Sequence, residues 1–327
     1  MTARLKQKIV DAVSNDLAAI EAELALNLNP YFELVSKVAG HILFAGGKRL
    51  RPLLMVLCAR LCGYSGGQAA RFSTIFEYLH AATLLHDDLV DGSDMRRGRK
   101  VANQVWDNPT AVLTGDFLLA RGLSIAADTG LSEVIRTIAG ITENMSQGEI
   151  RQLEKKGDIS LTEDAYMEVI RCKTAVLFQG ACRTGALVAA AKNGQVQALG
   201  DYGYHLGLAF QMADDLLDYT QDLASLGKHP GADLREGKLT LPLIHALSRA
   251  PERDRNEMIA IIKNSRFSRA DFISLVEMLE CHGGIAYTQD QAGSHIQAAK
   301  TALRPFGNHH TREVLTDIAD YALVRSG

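Results

Sequence analysis

A chain of 327 residues, 47% hydrophobic and 22% charged, can bury a large core. Its 35 Lys and Arg stand against 38 Asp and Glu, so composition gives no reason to expect nucleic acid as a partner, and any anion site must be local. Five cysteines, scattered as Cys58, Cys62, Cys172, Cys182 and Cys281, form neither a disulfide framework nor the paired Cys/His spacing of a zinc site; reduced core positions are expected.

The first stretch, MTARLKQKIVDAVSNDLAAIEAEL, is charged throughout and reads as an amphipathic helix rather than a secretory signal. No uninterrupted apolar run approaches the roughly 18 residues of a spanning helix, so no transmembrane segment and a cytoplasmic location are expected. Apolar residues then recur at three- and four-residue spacing in FSTIFEYLHAATLLH, LSEVIRTIAGITENM and AYMEVIRCKTAVLFQGACRTGALVAAA. Breaks fall at LNLNPY, FAGGKRLRP, CGYSGG, DNPTAV, KKGDIS, KNGQ, LGKHPGADLREGK, SRAPERD and LRPFGN. Alternating strand patterns are scarce. The pattern predicts about a dozen helices with short connections, forming one all-α domain over residues 1–327.

Two segments echo each other. LLHDDLVD carries Asp87, Asp88 and Asp91, and QMADDLLD carries Asp214, Asp215 and Asp218. On a helix, positions i and i+4 share a face, so Asp87 and Asp91 can reach a common ion, as can Asp214 and Asp218. Oxygen-only donors favour a hard cation such as magnesium or manganese, and magnesium is commonly shared between carboxylates, water and substrate phosphates. A lone D-D-x-x-D is most often a solvated acidic face. Here both boxes stand in apolar helical sequence, which argues against that.

Cations occur where an anion would need them. Arg96 and Arg97 follow the first box; Lys48, Arg49 and Arg51 sit beside Gly46 and Gly47, whose backbone could approach phosphate oxygens. Lys173 and Thr174 lie in RCKTAV, and Lys228 and Lys238 follow the second box. Any one of these basic residues is ordinary on a surface; together with the aspartates they suggest two diphosphates in one site. His80 lies two helical turns before Asp87 on nearly the same face, which favours a cavity position over a purely structural one.

The stretches GGKRLRP, EYLHAATLLHDDLVDGSDMRRG, LTGDFLLARG, KTAVLF, FQMADDLLDYTQD, GKHPGADLREGKLTLPL and GGIAYTQDQA, in that order, resemble the trans-isoprenyl diphosphate synthases of the polyprenyl synthetase family. The likeness runs from about residue 41 to the C-terminus and is greatest to the bacterial long-chain, octaprenyl-type members. It implies a helical bundle around a deep central cavity (the isoprenoid synthase fold), a homodimer, Mg2+ as cofactor, and isopentenyl diphosphate and an allylic diphosphate as substrates. Carried over motif by motif, Lys48, Arg51, His80 and Arg97 would hold isopentenyl diphosphate. Arg96, Lys173, Thr174, Gln211 and Lys228 or Lys238 would hold the allylic diphosphate. Asp87, Asp91 and Asp214 would bind magnesium, with Asp88, Asp215 and Asp218 in support; Asp87, Asp88, Asp91, Asp214 and Lys173 form the implied catalytic set.

The implied reaction is head-to-tail condensation, with a geranylgeranyl diphosphate synthase as the alternative to a long-chain enzyme. A class I terpene cyclase would carry a different second metal box and have no use for GGKRLRP. A non-catalytic subunit of a heteromeric synthase, the rival from another class, would lack one of the boxes. Chain length is expected to be set beside the helix of Asp87. Ala82 and Thr83, both small, leave its floor open, and Phe76, eleven residues before Asp87 and roughly 16 Å deeper at about 1.5 Å per residue, is a candidate lower stop.

Overall fold

The computed structural model describes residues 2–28, 30–220 and 231–324. The expectation of an all-α fold holds. The chain enters through α1 (Thr2–Leu28), α2 (Glu33–Leu43), α3 (Leu50–Leu61) and the long α4 (Ala69–Val90). A hairpin of two-residue strands, β1 (Met95–Arg96) and β2 (Arg99–Lys100), leads to α5 (Ala102–Val105), α6 (Asn108–Asp128) and α7 (Ser132–Glu154). Next come α8 (Glu163–Ile170), a π-helical turn over Arg171–Ala175, α9 (Val176–Val188) and α10 (Asn193–Thr220). The remainder is α11 (Ala232–Arg235), α12 (Leu241–Arg249), α13 (Glu252–Lys263), α14 (Arg269–Cys281), α15 (Gly284–Ala302) and α16 (His310–Val324).

Local chemistry accounts for many of the boundaries. Asp107 accepts the amide of Thr110 at 2.7 Å and Pro109 follows it, a strong start for α6. Thr162 caps α8, and Ser268 with Asp271 forms a reciprocal capping box on α14. KKGDIS and LRPFGN fall between α-helices as expected and SRAPERD spans the α12–α13 junction, whereas KNGQ supplies the first residues of α10. The β1–β2 hairpin escaped the sequence reading because four residues are too few to show alternation; Arg97 and Gly98, at φ 51° and 75°, supply its tight turn.

α10 runs through the centre, packed by α9 and α15, while α4 is packed by α3, α6 and α1. At Gly185 the helices α3 and α9 approach so closely that a Cβ would lie 2.4 Å from the Met55 carbonyl oxygen, a contact only glycine permits. The main apolar core includes Phe76, Tyr78, Phe178 and Tyr202; a second cluster around Phe272, Leu275 and Leu279 gathers α12, α13 and α14 on the later part of α10. Leu161 and Ile244 pack against both.

Two expectations need correction. Cys58, Cys172 and Cys182 are buried and Cys62 is half-buried, but Cys281, at the end of α14, is exposed rather than core. Also, α6 is, among the described residues, one helix long and apolar enough by length and composition to cross a membrane. Its apolar sequence is interrupted by Asp116 and Arg121, and it lies along α4, with Arg121 donating to the Asn27 carbonyl.

Candidate active site

The 22-residue α4 delivers Asp87 and Asp88 on its last turn and ends on Asp91, its C-cap. A helix C-terminus already carries partial negative charge, so three carboxylates there demand positive partners. Asp88 receives Arg96 at 2.8 Å, while its other oxygen is buried without a partner. Asp91 receives Lys238 at 2.8 Å on one oxygen and has Lys156 at 3.6 Å on the other. Burial works against ionisation of Asp91, but these lysines prevail and hold its pKa below the ordinary value. Asp87 has no such relief. Burial, with Glu149 next, pushes it up to about 7 against the pull of Lys173.

The second box divides its labour. Asp214 lines the same cavity as Asp87 and Asp91. Asp215 is buried and accepts the Tyr166 hydroxyl at 2.6 Å and the Gln211 amide at 2.8 Å; burial drives its pKa well up. Asp218 accepts the backbone amides of Ala232 and Asp233, both at 3.0 Å. The expectation that Asp214 and Asp218 share an ion therefore needs correction: Asp218 anchors the start of α11 and lies outside the cavity lining.

The cations form two groups around this cavity, whose volume is about 800 Å³. Lys48, Arg51, His80 and Arg97 line one part. Gly47 makes room there, since a Cβ on it would sit 3.1 Å from the Arg49 guanidinium and 3.4 Å from that of Arg97. Lys48 lies over the Tyr321 ring and Arg51 over Phe178, at 5.8 and 4.8 Å from the centroids. Burial first, then Arg51, Arg97 and Arg96, keep the His80 pKa well below its usual value, so it stands as a neutral imidazole among cations. The His41 ring meets the Lys100 carbonyl at 2.8 Å and so ties the hairpin bearing Arg96 and Arg97 to α2.

The π-helical turn before α9 displays Lys173 and Thr174. Its Lys173 bonds Gln152 at 2.5 Å and Glu149 at 2.6 Å, and Thr174 donates to Gln211 at 2.7 Å. Such turns widen a helix locally and often occur at functional sites. Lys238 stands in the cavity wall, whereas Lys228 lies outside the described residues.

Some site residues were not legible as such. Arg49 turns inward from GGKRLRP at φ 46° and bonds Glu21 at 2.6 Å, Glu77 at 2.7 Å and the Leu43 carbonyl at 2.6 Å. Its charge thus braces the loop that presents Lys48 and Arg51. Glu149, Lys156, Tyr166 and Asp233 also line the cavity. Lys156 stood in the sequence only as part of a helix break.

Among the described residues, no three His, Cys, Asp or Glu side chains converge closely enough to hold an ion by themselves. The donor set nevertheless fits a hard cation that keeps water and phosphate ligands. Asp87, Asp91 and Asp214 offer only oxygen, and the raised pKa of Asp87 marks negative charge that a cation would relieve.

Residues 32–279 match the family model described as Polyprenyl synthetase. Over 320 residues the chain is 37% identical to the octaprenyl diphosphate synthase of Escherichia coli (strain K12), covering 98% of each. A crystal structure of a decaprenyl diphosphate synthase from Rhodobacter capsulatus matches with a TM-score of 0.92 and 39% identity, over 98% of this chain and 99% of that one. A polyprenyl synthase from Caulobacter crescentus CB15, complexed with calcium and isoprenyl diphosphate, matches with a TM-score of 0.91 and 37% identity over 98% of both chains. The chain belongs to the polyprenyl synthetase family. It is a prenyltransferase with the all-helical isoprenoid synthase fold.

The burial of Asp87 has a measurable consequence in metal-free protein. Its folded pKa of about 7 exceeds the ordinary 3.8, so between these values the native state holds more protons than the unfolded one and stability falls as pH rises. In EDTA, Asp87→Asn should raise Tm at pH 8 by on the order of a few degrees and leave it unchanged near pH 4. Parallel Tm curves for the two proteins at all pH values would show that Asp87 ionises normally.

Proposed function

We propose that the protein is a magnesium-dependent synthase of long-chain trans-polyprenyl diphosphates. The observation that carries this is the convergence of both aspartate boxes and two distinct cation groups on one cavity. Lys48, Arg51, neutral His80 and Arg97 hold isopentenyl diphosphate. Arg96, Lys173, Thr174, Gln211 and Lys238 surround the allylic diphosphate, next to the aspartates. Asp87, Asp91 and Asp214 would hold magnesium, which would supply positive charge beside the departing diphosphate.

The rest of the chemistry follows from the side chains. As the allylic carbon–oxygen bond breaks, negative charge grows on the leaving diphosphate, and Lys173, Lys238 and Arg96 stabilise it. The isopentenyl double bond attacks the allylic carbon, a carbon–carbon bond forms, and a proton passes from the former isopentenyl unit to the departed diphosphate. No protein nucleophile takes part. The apolar part of the lining, including Met145, Ile170 and Phe210, accepts the growing chain and excludes water that would quench the cationic carbon. The near-full-length likeness to octaprenyl and decaprenyl synthases supports a long-chain product over geranylgeranyl diphosphate.

Position along α4 refines the length argument. Thr83 lines the cavity, but Ala82 and Phe76 are only 2% and 0% exposed and are absent from its lining. Neither Ala82 as floor nor Phe76 as lower stop is therefore retained. Thr83 remains the position on this helix from which added volume would enter the chain's path.

A homodimer fits the outward faces of α6 and α7, which leave Leu113 and Ile150 exposed at 66% and 61%, with Leu123 and Ile135 also uncovered.

Four tests follow from this reading. EDTA should abolish turnover and magnesium restore it, while Asp87→Ala or Asp214→Ala lowers kcat/KM by orders of magnitude. Lys48→Ala should chiefly raise KM for isopentenyl diphosphate; a rise confined to the allylic primer would reverse the assignment of the two sites. For length, Thr83→Tyr should shorten the product, whereas Ala82→Phe should lower Tm through overpacking, by about 1–3 kcal/mol of stability. An unchanged product distribution in Thr83→Tyr would remove α4 as the ruler. In light scattering, the protein should have twice its chain mass and Leu113→Glu should halve it; a wild-type monomer would dispose of the dimer.

A further inference from the structure

Lys156 lines the same cavity and is assigned to neither diphosphate above. Lys156 lies in the loop between α7 and α8, and its ammonium stands 3.6 Å from one Asp91 oxygen. The other oxygen of Asp91 receives Lys238 at 2.8 Å. The two lysines come from different loops, and those loops are clasped together. The Gly157 amide donates to the Gly237 carbonyl at 2.8 Å, across two residues at φ 77° and 76°. Gly237 also leaves room for the lysine stem, since a Cβ there would lie 3.1 Å from the Lys156 Cγ. The stem is thus seated on the neighbouring loop rather than extended into solvent, and its side chain is 35% exposed.

We infer that Lys156 is a further binding residue for the allylic diphosphate. At 3.6 Å its contact with Asp91 is an ion pair without hydrogen-bond geometry, easily exchanged. When an ion occupies the carboxylates, the Asp91 oxygens no longer need lysine charge, and the diphosphate bound there adds negative charge within reach of both ammonium groups. Lys156 and Lys238 then move from Asp91 to diphosphate oxygens. The Gly157–Gly237 clasp keeps them on the same side of the site, so the exchange requires side-chain rotation and no loop rearrangement. Because Lys156 meets only the diphosphate, it favours all allylic primers by the same factor, whatever their chain length.

The inference rests on the reading that the allylic diphosphate sits at Asp87 and Asp91, and calorimetry separates the two. Inorganic diphosphate is titrated into protein with magnesium present, using wild type, Lys156→Gln and Lys156→Arg. Affinity should fall about tenfold in the glutamine variant and recover largely in the arginine variant, as expected for one charge-assisted contact. KM should rise by the same factor for two allylic primers differing by one five-carbon unit, with KM for isopentenyl diphosphate unchanged. If wild type binds diphosphate and Lys156→Gln binds it equally or more tightly, Lys156 is merely a partner of Asp91 and the inference fails. If wild type itself does not bind diphosphate with magnesium, the reading of the whole site fails.

Discussion

Negative charge gathered where a helix already ends in negative charge is the constraint on which the rest of this molecule depends. Asp87, Asp88 and Asp91 sit at the C-terminal end of α4, Asp88 buried and the other two half-buried. Each is accommodated differently: Asp88 by Arg96, Asp91 by two lysines, and Asp87 by a raised proton affinity. The unequal treatment is informative. A purely structural cluster would pair all three, whereas burial disfavours the ionised form of Asp87, which an arriving cation would favour.

The loops answer that constraint. Arg96 and Arg97 are supplied by a hairpin whose turn needs positive φ and whose base is tied to α2 through His41. Lys238 comes from the segment after α11, and Asp218 secures the start of that helix. Lys48 comes from the loop before α3 and Arg51 from the first turn of that helix, and the intervening Arg49 is buried between Glu21 and Glu77. In each case a side chain that touches no substrate in the proposed mechanism holds another that does. A buried ion pair such as Arg49–Glu77 contributes little net stability over an apolar substitute, but breaking it would leave an uncompensated charge. Its use here is orientation.

The helices and the metal-type chemistry were legible because both are local. Three- and four-residue spacing specifies an amphipathic helix without reference to anything else, and D-D-x-x-D places oxygen donors on one helical face. The same logic found His80 and the cations of GGKRLRP and MRRG. Lys156 could not be found this way. Its signal was a Lys-Lys-Gly between helices, indistinguishable from a solvated turn until Gly237 of a distant loop was seen beneath its stem.

By itself, then, the sequence determined an all-helical chain, two acidic boxes suited to a hard cation, and the cation groups that a pair of diphosphates would require. Tertiary structure decided what each member of those sets does. Asp214 lines the cavity and Asp218 anchors the start of α11; Thr83 lines it and Ala82, one residue away, is core; Lys48 and Arg49 both line it, but the Arg49 guanidinium is held by Glu21 and Glu77. The reason is geometric. Helical periodicity sorts residues into faces, but which face meets a neighbour and which meets a void depends on how distant helices pack, and that is not a local property of the chain.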